Sequence, residues 1–210
     1  AHCAVLEPER FILTYRMFTG DRRTKQGKED FQLIIDNGQI PLPVDQWNNL
    51  TGAAAAVHAH PAAAGLLDGI KTEVSYFAEW SGIEVKARLD GIGKDYIIDL
   101  KTTQDASPAA FAKSCAQFRY HVQAAWYQRI TGINRFVFIA VEKQYPFCVG
   151  VYELDETAAL HGEAERRNNL QTIADCRAIA EWPGYGNTIQ PLSLPNWALQ
   201  TSSSITSEDF

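Results

Sequence analysis

The chain has 210 residues, 46% of them hydrophobic and 11% aromatic, which is enough to bury one sizeable core. We therefore predict a single domain over residues 1–210. The formal net charge of −6 excludes a protein that coats nucleic acid through overall positive charge, although a local basic groove remains compatible with it. Apolar runs fall short of the roughly 20 residues that cross a bilayer, so we expect no membrane contact and a cytoplasmic location.

The cysteines and the first residue set two further expectations. Four cysteines lie too far apart for a zinc ribbon or a small disulfide framework, which predicts reduced, mostly buried thiols: Cys3, Cys115, Cys148 and Cys176. The sequence begins at Ala1 rather than at methionine. We therefore expect it to be the C-terminal part of a longer chain.

The predicted elements form a mixed sheet flanked by helices. Helical patterns over 28–35 and 44–64 come first, followed by three alternating segments that predict an antiparallel meander, 72–79, 83–90 and 95–102. A long helix is expected from Pro108 to Thr131, with Ser107 as its N-cap and Gly132 after its end. A hairpin over 135–141 and 147–154, a helix from 155 to about 181 and a loop-rich tail over 183–210 complete an α/β (α+β) fold.

The meander brings acidic side chains together if its turns are tight. A two-residue turn at Ser81-Gly82 places Glu73 opposite Asp90. A second turn at Gly93-Lys94 pairs Asp90 with Ile97, and the period of two then puts Asp99 and Lys101 on the same face. The opposite face would be entirely apolar or aromatic: Val74, Tyr76, Ala78, Val85, Ala87, Leu89, Tyr96, Ile98 and Leu100.

Three clustered carboxylates repel one another unless a cation compensates, and oxygen ligands of this kind suit Mg²⁺. Two such ions could hold the attacking and leaving oxygens of a phosphodiester. Lys101 could orient or deprotonate the attacking water or neutralise transition-state charge, while the backbone carbonyl of Leu100 could be a further metal ligand. The competing interpretation is an ordinary solvent-exposed sheet face, which Asp99-Leu100-Lys101 alone would not exclude.

These residues resemble the PD-(D/E)xK nuclease superfamily, with Asp90 and then Asp99-Leu100-Lys101 as its motif. The run VKARLDGIGKDYIIDLKTT resembles the exonuclease VIII group, the RecE-like recombination exonucleases. The opening segment is similar to the family's histidine segment, which makes His2 a candidate metal ligand by resemblance. An imidazole ligand would fit Mn²⁺ more easily than Mg²⁺.

The helix motif Gln-x-x-x-Tyr of the family matches Gln123 and Tyr127. Together with Tyr120 they share one helical stripe, which could face the metal site or simply pack in the core. The resemblance implies that this stripe holds the scissile phosphate or a metal-bound water. His121 is a weaker candidate. Further candidate DNA contacts are Arg119, Arg88, Arg22 and Arg23, although the basic run that contains Arg22, Arg23, Lys25 and Lys28 is more simply a solvated loop.

By resemblance, the activity is 5′-to-3′ digestion of one strand of linear double-stranded DNA, with an annealing recombination protein as partner of the 3′ overhang. The family also forms ring-like oligomers, and this chain could form such a ring as a tetramer. A ring would let an acidic protein hold DNA in a basic channel. Two alternatives stay open. One is a structure-specific or restriction-type endonuclease with the same core, and the other is an inactive DNA-binding or assembly domain.

Overall fold

The computed structural model describes residues 1–199. Its helices are α1 His2–Leu6, α2 Pro8–Thr14, α3 Lys25–Asp36, α4 Val44–Ala59, α5 Pro61–Leu67, α6 Pro108–Gln117, α7 Tyr120–Thr131, α8 Glu156–Ile179 and α9 Asn196–Leu199. Its strands are β1 Tyr15–Phe18, β2 Ile40–Pro43, β3 Lys71–Trp80, β4 Ile83–Ile92, β5 Tyr96–Thr103, β6 Arg135–Glu142 and β7 Val149–Glu153. Of the predicted tail, residues 183–195 carry no helix or strand, and residues 200–210 lie outside the described residues.

The chain divides into two compact units, residues 1–174 and the residues from 175 onward. The first unit contains both sheets and seven helices, together with most of α8. The second contains the end of α8 and the short helix α9. The prediction of one domain over residues 1–210 stays a prediction.

The central sheet has five strands in the order β3-β4-β5-β6-β7. All neighbouring pairs are antiparallel except β5 and β6, which are parallel and are connected through α6 and α7. A separate parallel pair, β1 and β2, was not predicted because each strand has only four residues. The predicted mixed sheet with an antiparallel meander and flanking helices is thus confirmed.

Both faces of β5 and β6 are buried, which corrects the predicted single apolar face at β5; β4 keeps the predicted alternation, with Glu84, Lys86 and Arg88 exposed. Residues on alternate positions of β5 and β6 pack into two different clusters, one with α1, α2, α4 and α5 and the other with α6 and α7. Ile98 and Leu100 lie in the first cluster, whereas Ala87 and Leu89 lie in the second. A parallel pair covered by helices on both sides needs apolar residues at successive positions, and β5 and β6 show that pattern.

The predicted first turn is correct, and the second is displaced by one residue. Trp80 pairs with Ile83, and both Ser81 and Gly82 have positive φ, as a tight hairpin turn requires. In the second hairpin Ile92 pairs with Ile97, so Asp90 does not pair with Ile97 as predicted. Moving the turn by one residue shifts the partner of each β4 residue by two positions along β5. Because side chains alternate with a period of two, the side chains next to the turn stay on their predicted faces.

The predicted long helix after the meander is two helices. α6 ends at Gln117 and α7 begins at Tyr120, because Arg119 between them adopts the left-handed conformation with φ of 56°. The predicted ends are correct: Pro108 begins α6, and Gly132 ends α7 in the left-handed conformation that suits glycine. Ser107 occupies the N-cap position, but its side chain makes no capping hydrogen bond.

Two simpler expectations can also be compared with the structure. Cys115 and Cys176 are buried, Cys3 is half-buried, and Cys148 is exposed, so only part of the thiol set is in the interior. In the described part of the chain, each helix is too short or too polar to span a lipid bilayer.

Candidate active site

The candidate site lies where β4 and β5 separate. These strands pair only at Gly91 with Ile98 and at Ile92 with Ile97, next to their turn. Beyond those pairs the backbone N–H of Leu100 is free of β4, and it donates to the Asp90 carboxylate oxygen Oδ2 at 2.8 Å. The side chain of Asp90 thus fills the space between the two diverging strands. This arrangement brings Asp90 to the part of β5 that carries Asp99 and Lys101.

Asp99 and Lys101 form a buried polar network with α7. Gln123 is its centre, since its Nε2 donates to Asp99 Oδ1 at 2.7 Å and its Oε1 accepts from Lys101 Nζ at 2.9 Å. Lys101 Nζ also lies 4.4 Å from the centroid of the Tyr120 ring, a cation–π contact. The predicted stripe on this helix therefore faces the carboxylates, and the amide of Gln123 fixes both the acid and the amine.

Asp99 carries an incompletely satisfied negative charge. It is only 2% exposed, and its Oδ2 lies 2.5 Å from Lys101 Nζ without the orientation of a hydrogen bond. Within residues 1–199, nothing donates to this oxygen. Burial raises the pKa of Asp99 to about 6; the positive charge of Lys101 opposes that rise, and the nearby Asp90 adds to it.

His2 approaches the same carboxylates from α1. Its Nε2 lies 3.2 Å from Asp90 Oδ2, and its side chain is 44% exposed. The hydrogen bond to Asp90 raises the pKa of His2, with burial opposing the rise and the negative charges of Asp90 and Asp99 and the backbone of Leu100 adding to it. The structure therefore brings His2, Asp90, Asp99 and the backbone of Leu100 together.

These groups fit a divalent metal ion. The buried Oδ2 of Asp99 has the Lys101 ammonium beside it but no hydrogen bond of good geometry, so it is the kind of acceptor that a cation further satisfies, and desolvation makes its negative charge costly. Carboxylate oxygens are the ligands of Mg²⁺, and an additional imidazole is compatible with Mn²⁺. His2, Asp90 and Asp99, together with the carbonyl of Leu100, are the groups that could hold such an ion.

Glu73 does not face Asp90 as the ideal register predicted. The ladder between β3 and β4 is interrupted at Glu73, which has a φ of 56°, so the alternation of an extended strand fails there. Its carboxylate oxygen Oε2 instead accepts from Arg88 Nε at 2.6 Å. The convergence of three carboxylates is therefore corrected to two, and the predicted catalytic role of Glu73 stays a prediction.

The remaining predicted residues have different surroundings. Tyr127 lies beside Gln123, and its pKa is raised mainly by burial. Arg119 pairs with Glu165 at the start of α7. Arg23 pairs with Asp21 at 3.0 Å, and Arg22 lies over the Phe31 ring at 4.1 Å. Both arginines of the basic run thus contact their own segment, and their role in DNA binding stays a prediction.

A second wall of the site was not predicted. Trp126 Nε1 on α7 donates to the carbonyl of Lys86 at 3.2 Å, and its ring packs edge-on against Trp80 with centroids 4.9 Å apart. Lys86 and Arg119 line an open cavity of about 380 Å³ together with Gln123 and Tyr127. Lys86 could have been found from the sequence, because it alternates with Arg88 and Asp90 along β4.

Comparisons with known proteins identify a family and return solved structures. Residues 1–194 match the family described as "PDDEXK-like domain of unknown function (DUF3799)". The crystal structure of a protein from Eubacterium rectale named "Putative exonuclease" is similar with a TM-score of 0.56 and 17% identity, covering 86% of this chain and 73% of that one. A second solved structure, of a protein known by a gene designation, has a TM-score of 0.32 and 18% identity over 75% of this chain and 77% of its own.

A search of curated protein sequences finds no match. The family model nevertheless spans nearly the whole described chain and includes β4, β5 and α7, which carry the clustered side chains. The chain therefore belongs to the family of PDDEXK-like domains of unknown function (DUF3799), within the PD-(D/E)xK nuclease superfamily.

Proposed function

We propose that this chain is a metal-dependent exodeoxyribonuclease that hydrolyses the phosphodiesters of linear double-stranded DNA. The observation that carries the proposal is the meeting of Asp90, Asp99 and Lys101 where β4 separates from β5, with one buried Asp99 oxygen left without a hydrogen bond. The resemblance of this motif to the RecE-like exonuclease VIII group favours digestion from 5′ to 3′, leaving 3′ overhangs. The E. rectale protein of similar fold is named as an exonuclease, which supports exonuclease activity in general.

The proposed cofactor is Mg²⁺, with Mn²⁺ as a substitute and two ions in each site. His2, Asp90, Asp99 and the carbonyl of Leu100 would hold them. When bound, the ions supply Lewis-acid polarisation of the phosphodiester and lower the pKa of a coordinated water. Asp99 gains most from this, because Lys101 only partly compensates its burial.

Lys101 supplies a fixed positive charge beside the scissile phosphate in this proposal. Its ammonium group has three protons, of which one is donated to Gln123 Oε1. The Tyr120 ring and Gln123 hold the amine in place. The amine can therefore stabilise the negative charge that develops on the phosphate in the transition state without first changing its own position. Asp99 and Gln123 also keep the amine from turning away into solvent.

The DNA backbone would approach across the open cavity beside α7. Lys86 lines this cavity with a charge that attracts phosphate, and Arg119 adds a second one that Glu165 partly neutralises. Gln123 and Tyr127 connect the cavity to the carboxylates. Arg88 lies on the same strand as Lys86 and is exposed, although Glu73 neutralises part of its charge. A short basic path of this kind can bind DNA despite the overall negative charge.

The proposed biological setting follows from the same resemblance. A homo-oligomeric ring, such as a tetramer, would surround the DNA end, and a single-strand annealing protein would take over the 3′ overhang. The proposed location is the cytoplasm. The size-exclusion mass of the purified chain, measured with and without a DNA duplex, tests the ring: a monomer in both conditions contradicts it.

The central test is a time course on end-labelled duplex DNA in Mg²⁺, in Ca²⁺ and in EDTA. We expect release of label from the 5′ end of linear duplex in Mg²⁺ and none in EDTA. Closed circular duplex should stay intact under the same conditions. Cutting of circles at the rate of linear DNA would favour an endonuclease of the same core, and binding without any cleavage would favour an inactive DNA-binding domain.

A pair of lysine variants separates the site from general charge effects. Lys101→Met should reduce cleavage by about 10³-fold or more, since it removes a preorganised charge from the reacting phosphate. Lys94→Met, an equal change in the exposed turn between β4 and β5, should leave the rate unchanged. Circular dichroism and thermal unfolding check that both variants fold. Undiminished cleavage by the Lys101 variant would remove the proposed mechanism.

A further inference from the structure

A second group of metal-ligand side chains lies between α7 and α8, apart from the carboxylates of the sheet. It consists of His121 on α7 and His161 and Glu165 on α8, with one ligand atom of each within 4.8 Å of the others. His121 Nε2 is 3.6 Å from Glu165 Oε2, and His161 Nδ1 is 3.4 Å from Glu165 Oε1. The spacing of four residues puts His161 and Glu165 on the same face of α8.

The orientation of His121 is fixed by its second ring nitrogen. Its Nδ1 lies 3.4 Å from the carbonyl oxygen of Cys115, and a carbonyl can only accept, so Nδ1 carries the hydrogen. In a neutral ring Nε2 is then an acceptor that faces a carboxylate oxygen. Two acceptors this close need a proton or a cation between or beside them, and a metal ion can take that place. A backbone carbonyl bound to the outer nitrogen is also the usual support of a metal-binding histidine.

Arg119 provides a positive charge beside this group. Its Nε donates to Glu165 Oε2 at 3.0 Å, and its Nη2 contacts the same oxygen. This ion pair lowers the pKa of Glu165. A cation bound by the two histidines would compete with Arg119 for this oxygen.

We propose that His121, His161 and Glu165 bind a divalent transition-metal ion of the Zn²⁺ class. Two imidazole nitrogens and one carboxylate oxygen are a ligand set for Zn²⁺, which takes three protein ligands and leaves a fourth position open. The three residues line a cavity of about 620 Å³, through which water can reach that fourth position. The ion would clamp α7 to α8, two residues from Gln123, and it would be distinct from the ions of the nuclease site.

The test measures metal binding in a chain whose first site is disabled. The triple variant His2→Ala, Asp90→Asn, Asp99→Asn removes the other ligand groups, and titration with Co²⁺ reports coordination through visible absorption, with Zn²⁺ as competitor. We expect one ion for each chain. Adding His161→Ala or Glu165→Gln should weaken binding by at least about tenfold to a hundredfold, whereas Glu156→Gln, an equal charge change at the exposed start of α8, should leave it unchanged.

An Arg119→Gln variant sharpens the test. Because it removes the competitor for Glu165 Oε2, it should tighten Co²⁺ binding by about twofold to fivefold. His161 is 66% exposed, so its replacement leaves the fold intact. Absence of Co²⁺ binding in the triple variant, equal binding after His161→Ala, or unchanged affinity after Arg119→Gln would each overturn the proposal.

Discussion

The buried charged residues of the described chain, Asp99 in the central sheet and Arg166 on α8, are balanced in different ways. Arg166 donates to both oxygens of Glu163, at 2.7 and 2.8 Å, and its guanidinium lies 5.3 Å from the Trp80 ring centroid. Asp99 receives one hydrogen bond from Gln123 and keeps an oxygen that accepts none from the described residues. Arg166 is therefore paired through hydrogen bonds to both oxygens of its partner, whereas one oxygen of Asp99 has only the nearby charge of Lys101.

The pKa values of Glu163 and Asp99 are shifted in opposite directions, which shows the same contrast. Hydrogen bonds from Arg166, opposed by burial and supported by Arg167, hold the pKa of Glu163 down at about 2. Burial raises the pKa of Asp99 to about 6 although Lys101 is beside it. Breaking a complete buried ion pair destabilises a fold, whereas an incompletely satisfied buried acid is a place where a cation would bind. The difference separates a structural pair from a functional site.

Asp99→Asn is the test of this contrast with the largest expected effect. The amide keeps the shape of the acid and loses the charge, so we expect nuclease activity to fall by about 10³-fold or more, measured as label release from linear duplex in Mg²⁺. Asp95→Asn in the exposed turn before β5 is the matched control, and it should retain the parent rate. Activity within tenfold of the parent would show that Asp99 is not part of the reacting centre.

Gln123→Ala should have the next largest effect on cleavage. Gln123 bonds both Asp99 and Lys101, so its loss frees the amine and leaves the acid with fewer partners. We expect a decrease of about 10–100-fold, the range for residues that position a metal ligand. The same change at exposed Gln117, on the last turn of α6, is the control. A positioning role also predicts that kcat falls while KM for DNA changes little, because Gln123 bonds Asp99 and Lys101, and a change confined to KM would contradict it.

The sequence predicted the sheet residues of the site better than the residues that helices bring to it. Asp90, Asp99 and Lys101 follow the period of two along β4 and β5, and the hairpin keeps them close even though its turn is shifted by one residue. The predicted position of the Glu73 side chain was wrong, because the left-handed backbone at Glu73 breaks that period. Strand propensity does not reveal such a break. His2 and Gln123 reach the site through α1 and α7, and only the resemblance to a family indicated them.

The burial of the sheet was mispredicted for a related reason. An alternating strand pattern indicates which residues share a face, but it does not say whether that face is covered. The middle residues of β5 and β6 are buried on both faces by helices from distant parts of the chain, α4 on one side and α6 and α7 on the other. The break between α6 and α7 was equally hidden, because Arg119 is not a residue that marks a helix end.

Glu163→Gln tests the structural half of the contrast. Because it leaves buried Arg166 without its charged partner, we expect a loss of about 1–3 kcal/mol in the free energy of unfolding at neutral pH. The pKa of Glu163 is lowered from 4.5 to about 2, so its contribution is present above pH 4.5 and is lost as the pH falls toward 2. Urea unfolding of the variant and of exposed Glu181→Gln checks this, and equal stabilities of the two would contradict it.

Unlike Glu163→Gln, Asp99→Asn should increase the free energy of unfolding. Since the folded pKa of Asp99 is raised from 3.8 to about 6, the native state binds the proton more tightly, and its stability falls as the pH rises between those values. The variant lacks this loss. Because the raised pKa already includes the attraction to Lys101, we expect the variant to be more stable than the parent by about 1 kcal/mol or more in EDTA at about pH 7.5, and nearly equal to it at about pH 4. Mg²⁺ should stabilise the parent and remove the difference, because only the parent has the charge that the ion compensates. A variant less stable than the parent in EDTA at both pH values would mean that the Lys101 pair already satisfies Asp99, and the contrast with Glu163 would disappear.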